Sequence, residues 1–291
     1  MNKIPVSVLV TTLNEAKNLP RCLAALEDFD EVIVIDSGSR DGTVEAARSF
    51  GVGVIDYRWN GAYPKKRQDC LNRLNLKHDF IFFVDADEVV TKELAGEIRQ
   101  LDFSMAGYFV KGRYVWKGEP LRFGLKNNKL ALFDRRKIEF PVVDDLDISG
   151  MGEMEGHYQP VLKEAHRGEK TGQLRKSLLH YAYEDREGWE ARHKRYAYWE
   201  AQMIRRSAYP EDPSVFRQGI KTLFRKMPLR AVTAFAHSYF LKIGFLDGAA
   251  GFEFARSRFM YYRLVAAAFS KTGKGAGIFG AETDLASVPQ K

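Results

Sequence analysis

Four short apolar runs, each leading into a helical pattern, fill the first hundred residues and constrain the fold more than any other feature. Residues 6–12 read Val-Ser-Val-Leu-Val-Thr-Thr, 31–35 contain Val-Ile-Val-Ile, 52–55 form a third run, and 80–84 read Phe-Ile-Phe-Phe-Val. Residues 16–26 carry Leu19, Leu23 and Leu26 at a helical period, and 43–50, 66–74 and 92–101 are further helical segments. The runs are apolar nearly throughout, as in strands covered on both faces of a parallel sheet. Strand–helix alternation then predicts a doubly wound, mostly parallel α/β sheet.

The pattern changes after residue 105. Residues 107–115 read as one more strand, 117–148 as irregular, and 149–160, with Gly150, Gly152, Gly156 and Pro160, as a loop. Beyond 174 the pattern is mostly helical, and 273–291 is small and polar, a fraying tail. The expected division is an α/β half over 1–104, its continuation over 105–173, a helical extension over 174–272 and the tail.

Charge separates along the same division. The 291 residues carry a net +7. Residues 1–150 hold 22 Lys+Arg and 23 Asp+Glu, net −1, whereas 151–291 hold 23 and 15, net +8. The basic excess is therefore local to the C-terminal half. It is mixed there with aromatics on helical apolar faces, without a zinc motif or stacking sheet, which argues against nucleic acid. In 215–227, Phe216, Ile220, Leu223, Phe224 and Met227 share one helical face while Arg217, Lys221 and Arg225 share another. A basic amphipathic helix of this kind suits an anionic membrane surface. Two cysteines, Cys22 and Cys70, make neither a disulfide framework nor a zinc site. The N-terminus lacks the apolar stretch of a signal peptide, and no apolar run reaches the ~18 residues of a membrane span. The expectation is a cytoplasmic chain that meets the inner membrane only at its surface.

Ligands of open parallel sheets bind beyond the carboxyl ends of the strands. Three polar clusters fall there: Thr11-Thr12-Leu13-Asn14-Glu15, Asp36-Ser37-Gly38-Ser39-Arg40-Asp41-Gly42-Thr43, and Asp85-Ala86-Asp87-Glu88. At a strand end, Asp85 and Asp87 can present carboxylates to a hard divalent cation that bridges substrate phosphates; alternatively, Asp87 or Thr91 caps the following helix. Asp36 closes a buried strand, where it can accept from a base or ribose or can organise a turn. Asp41 to Thr43 read as a helix start.

Together, 9–16 (Leu-Val-Thr-Thr-Leu-Asn-Glu-Ala), 34–43 (Val-Ile-Asp-Ser-Gly-Ser-Arg-Asp-Gly-Thr) and 83–88 (Phe-Val-Asp-Ala-Asp-Glu) resemble the family 2 glycosyltransferases of GT-A fold. Arg58-Trp59-Asn60-Gly61, Lys66-Arg67-Gln68, His180-Tyr181 and 244–252 are similar to the lipopolysaccharide-core glucosyltransferase branch. The resemblance implies a UDP-sugar donor, Mg²⁺ or Mn²⁺, inverting hexose transfer, and a lipopolysaccharide-core or other envelope glycan or glycolipid acceptor. It implies that Thr11, Leu13, Asn14 and Glu15 line the nucleotide pocket and that Asp36 takes the uracil N3–H. Asp87 holds the metal, Asp85 and Ala86 meet the ribose or a metal-bound water, and Lys66 or Arg67 sits near the phosphates, unless Lys65-Lys66-Arg67 is a solvated face. His180 is a third ligand, a diphosphate contact, or a structural histidine. The base is a carboxylate after the Asp-x-Asp: Glu155 first, beside His157, then Glu153, Asp144 or Asp145. Usual members of that branch have His-Glu there, and this chain departs from them. Rival functions are transfer to a polyprenyl phosphate, or nucleotide binding without catalysis at a membrane surface.

Overall fold

A computed structural model describes residues 2–155, 158–183, 186–209, 212 and 215–272. In chain order the first elements are β1 (Ile4–Thr12), α1 (Leu19–Ala24), β2 (Phe29–Asp36), α2 (Thr43–Ser49), β3 (Gly53–Asp56), α3 (Lys66–Arg73), β4 (Phe80–Asp85), β5 (Glu88–Val89) and α4 (Lys92–Arg99). They are followed by β6 (Gly107–Trp116), β7 (Glu119–Pro120), β8 (Asn127–Asp134), β9 (Ile138–Glu139), β10 (Val161–Leu162) and β11 (Thr171–His180). The remainder comprises α5 (Arg186–Arg206), α6 (Val215–Lys226), α7 (Arg230–Ala236), a π-helical turn His237–Leu241, a 3-10 turn Gly244–Asp247 and α8 (Gly248–Thr272).

The main sheet runs β3-β2-β1-β4-β8-β6-β11-β5, with β7 beside β6. Strands β1 to β4 are mutually parallel, β8 opposes both neighbours, and β6 and β11 are parallel to each other. Successive residues of the central strands enter different cores. Val6, Val8, Val10, Phe82 and Val84 pack on one face with Leu19, Leu23, Leu94 and Ile98. Leu9, Ile81 and Phe83 pack on the other with Leu71, Phe133 and Phe140. Two covered faces explain why these strands read as unbroken apolar runs.

Two expectations need correction. Residues 127–134, inside the segment read as irregular, form β8. Its opening Asn127-Asn128-Lys129 resembles a turn, and only pairing with β4 and β6 makes it a strand. Residues 174–180 continue β11 rather than starting the helices. Leu174 and Leu178, both buried, are four apart, a spacing that a helix face and a strand face share. The tail 273–291 lies outside the described residues.

The chain divides into two compact units. The first comprises Met1–Pro120, Lys126–Val142 and Glu153–Ala182, and holds the sheet. The second comprises Leu121–Leu125, Val143–Gly152 and Tyr183–Lys291. In it, α5 and α8 pack through Ala197, Ala201, Tyr261 and Val265, small residues against large ones. Glu200 accepts from the Tyr261 hydroxyl and pairs with Arg230, so this interface also compensates a carboxylate. Among the described residues no helix is long and apolar enough to cross a membrane.

Candidate active site

Register brings the three polar clusters to one sheet end. Thr11 lies opposite both Ile35 and Asp85, and Thr12 opposite Asp36. The loop after β1 turns through Asn14, whose φ of 54° is left-handed, a conformation asparagine tolerates better than most residues. Asn14 Oδ1 accepts from Arg40 N at 2.8 Å and Asn14 N donates to Ser39 Oγ at 2.7 Å. Glu15 N donates to Thr43 Oγ1 at 2.8 Å. The first two loops are therefore stitched together, which holds Leu13, Asn14 and Glu15 beside Asp36. Asp36 is buried and accepts from Gly38 N and Ser39 N at 2.9 and 2.8 Å. Its turn role is thus occupied in this structure. Asp41 Oδ1 accepts from Thr43 N, in keeping with a structural part for 41–43.

Asp85 is the hub of a charge cluster. Its Oδ1 accepts from Thr11 Oγ1 at 3.0 Å and Arg67 at 2.6 Å, and its Oδ2 from Lys129 Nζ at 2.7 Å. Lys129 also reaches the fully buried Glu88 at 2.7 Å. Burial alone would raise the Asp85 pKa, but Lys129 and Arg67 outweigh it and hold the carboxyl well below its usual range. In sequence, Glu88 stands out only as the end of the Asp85-Ala86-Asp87-Glu88 cluster, and Lys129 not at all. The available signal was a lysine leading into the apolar run Leu130-Ala131-Leu132-Phe133.

Asp87 does not cap α4. Thr91 caps α4 instead, its Oγ1 accepting from Leu94 N at 3.2 Å. Strand β11 runs antiparallel to β5, with His180 opposite Glu88, which puts His180 Nε2 3.4 Å from Asp87 Oδ2. The Tyr114 ring stacks on His180 at 5.2 Å between centroids, and His180 Nδ1 is buried with no hydrogen-bond partner. Burial would push the His180 pKa down, yet Asp87, by charge and hydrogen bond, moves it up. The Asp87 carboxylate suits Mg²⁺ or Mn²⁺, which take few protein ligands and complete their shell with phosphate oxygens and water, and the imidazole beside it favours the softer Mn²⁺ of the two. Among the described residues no group of three or more His, Cys, Asp or Glu is placed to hold a metal. The fitting donors are therefore the Asp87–His180 pair, while Asp85 faces cations.

Lys65-Lys66-Arg67 is not a solvated face: Lys65 and Lys66 are both buried. Lys66 Nζ reaches Ser37 Oγ at 2.9 Å and Glu153 Oε1 at 3.4 Å. Lys65 Nζ donates to Met154 O at 3.2 Å. Glu155 Oε1 accepts from Arg67 N and Gln68 N at the start of α3, at 2.8 and 3.2 Å. Burial raises the Glu155 pKa despite the lowering effect of Arg67 and of these N–H groups. Gly156 and His157 lie outside the described residues. Of the other carboxylates considered, Asp145 is buried and accepts from Trp199 Nε1 at 2.9 Å within the second unit, beside the exposed Asp144.

An open α/β sheet with polar loops and an acid–imidazole pair at the carboxyl ends of its parallel strands places a ligand crevice there. Comparison with known proteins agrees. The family model described as glycosyl transferase family 2 matches residues 7–166, more than half of the chain. The chain belongs to that family. It is 29% identical over 146 residues to an uncharacterised glycosyltransferase of Rickettsia prowazekii, covering 46% of this chain and 48% of that one. It is 30% identical over 119 residues to the lipopolysaccharide core biosynthesis glycosyltransferase LpsC of Rhizobium meliloti, covering 38% and 43%. The chain thus spans about half the length of these relatives or less. A mannosyltransferase of Pyrobaculum calidifontis, solved with GDP-mannose and Mn²⁺, aligns over 94% of this chain and 89% of its own, with a TM-score of 0.51 at 15% identity. That likeness establishes the GT-A fold.

Proposed function

We propose that the protein is an inverting hexosyltransferase that moves a hexose, glucose by its resemblance to the lipopolysaccharide-core branch, from a UDP-sugar to a lipopolysaccharide-core or other envelope glycan or glycolipid. The carrying observation is the Asp87–His180 pair set beside the Asp85–Arg67–Lys129 cluster at the carboxyl ends of β1 and β4. The family membership and the likeness to LpsC support the same reaction class.

The residues divide the work. The Asn14 and Asp36 loops form a wall for the nucleoside, with Asp36 held as an acceptor. Asp87 and His180 would hold a divalent cation, which when bound would stabilise the negative charge developing on the departing diphosphate. Arg67 and Lys129 keep Asp85 ionised and add positive charge where phosphates sit. Glu155 deprotonates the acceptor hydroxyl as it attacks the anomeric carbon opposite the leaving group; its raised pKa suits a base better than an ordinary glutamate would. The basic second unit suits a place on the anionic cytoplasmic face of the inner membrane, where a lipid-borne acceptor is found.

UDP release from UDP-glucose with Mn²⁺ and a core-type acceptor tests the proposal. Asp87→Ala is expected to lower turnover at least about a hundredfold, the scale of losing a transition-state charge stabiliser. Unaltered turnover in that variant overturns it.

A further inference from the structure

Most of the large apolar side chains exposed among the described residues lie between 220 and 269, all in the second unit. They are densest where the π-helical turn His237–Leu241 meets the 3-10 turn Gly244–Asp247. There Phe240 is 58% exposed, Leu241 77%, Ile243 43%, Phe245 44% and Leu246 54%. Large apolar groups gathered on a surface mark a contact with something apolar.

This knuckle is held firmly within its unit. Lys242 O accepts from Gly124 N, and the Asp247 carboxylate accepts from Arg122 N and Phe123 N, each at 2.9 Å. A Cβ on Gly244 would lie 2.6 Å from Ser238 O, so the chain folds back as closely as glycine permits. Around it, the Phe235, Tyr239 and Phe252 rings pack at 5.4 to 5.9 Å between centroids. Ile243 holds a φ of +52°, costly for a β-branched residue. Bracing and strain both go into turning apolar side chains outward, the opposite of what stability alone would favour.

Charge indicates the occupant. Lys242 lies exposed in the middle of the apolar group and Arg122 exposed at its flank. Asp247, the one acidic residue between 237 and 252, is engaged with backbone N–H groups. Across a two-fold axis of a dimer, the same Lys242 and Arg122 would meet their own copies, like charge against like. An anionic bilayer instead takes apolar and aromatic groups into its interface and basic groups at its headgroups. Helix α6 is less suited to make first contact through its basic face. Its Arg217 and Lys221 both pair with Asp212, and Arg225 lies over the Tyr209 ring.

We infer that the 237–247 knuckle is an insertion point, seating Phe240, Leu241, Ile243, Phe245 and Leu246 in the interface of an anionic bilayer with Lys242 and Arg122 at the headgroups. This deepens the membrane-surface part of the proposed function and rests on it, but not on the chemistry of the first unit.

The test uses the full chain and phosphatidylcholine vesicles with and without phosphatidylglycerol. Cys22 and Cys70 are buried, so a polarity-sensitive dye on Leu241→Cys reports the knuckle. Vesicles containing phosphatidylglycerol are expected to brighten and blue-shift the dye. Phe240→Ser with Leu241→Ser is expected to lower the vesicle-bound fraction in flotation about tenfold or more, the scale of removing two interfacial anchors. UDP release from soluble donor should be unchanged in that variant. Three outcomes overturn the inference: flotation with the dye still in water, flotation of the double variant as well as the parent, or no flotation of the parent. Shielding of the dye without vesicles, together with dimerisation, also overturns it and assigns the knuckle to a second copy. Failed sugar transfer with flotation intact counts against the enzymatic proposal alone.

Discussion

Glu155 and Lys129 carry the sharpest consequences of single side chains. Burial raises the Glu155 pKa, so at neutral pH its charge weakens the fold: the stability it contributes is full below its ordinary 4.5 and is lost as pH rises through the folded value. Glu155→Gln keeps an oxygen for the Arg67 and Gln68 N–H groups and removes the charge. Its melting temperature at pH 7 should equal or exceed that of the parent, while turnover falls about 10²–10⁴-fold. In the parent, the acid limb of kcat/KM should lie above the ordinary glutamate range. A drop in melting temperature with normal turnover would make Glu155 a helix cap only. Lys129→Met strips Asp85 and Glu88 of a shared partner. Because two of the three groups are partly exposed, the cost should be near the low end for a broken buried pair, about 3 kcal/mol in urea denaturation. Asp85 has the opposite sign from Glu155. Its depressed pKa contributes stability above its ordinary 3.8, lost as pH falls through the folded value. The variant should therefore lose less on acidification than the parent.

Helix ends and strand pairings explain which segments could be recognised before folding. Thr91→Ala removes the α4 cap and should cost about 1 kcal/mol by chemical denaturation; it also breaks the bond from Thr91 Oγ1 to Ser177 O. If that variant also loses activity, α4 is placing Asp87, since only four residues separate them. Strands β1, β2 and β4 were legible as near-continuous apolar runs and the edge strand β3 by its Val54-Ile55 pair, and so were α3 and α4, observed at Lys66–Arg73 and Lys92–Arg99. Strands β8 and β11 were not, since a polar opening and an i, i+4 leucine pair fit several local structures. Their identity comes from neighbours distant in sequence.

Net charge distinguishes the two ends of the chain, −1 over 1–150 and +8 over 151–291. Binding to anionic vesicles should therefore weaken about tenfold or more between 0.1 and 0.5 M NaCl, because screening shortens the reach of the basic groups. Residual binding at high salt measures the apolar part of the contact. Flotation across a salt series separates the two, and a flat profile would show that the excess charge plays no part.

The sequence by itself determined the parallel part of the sheet, its polar ends and the family, because apolar periodicity and short strand-end motifs are local properties. It also marked Asp36, Asp85, Asp87, Glu155 and His180 as groups to watch. Only the tertiary structure decided their partners. It placed His180 beside Asp87 through the β11–β5 pairing, gave Asp85 two cations, buried Lys65 and Lys66, and turned the apolar knuckle outward. Each of these depends on which distant residue fills the neighbouring space. Burial and long-range ion pairing are set by packing, and no local window of sequence contains them.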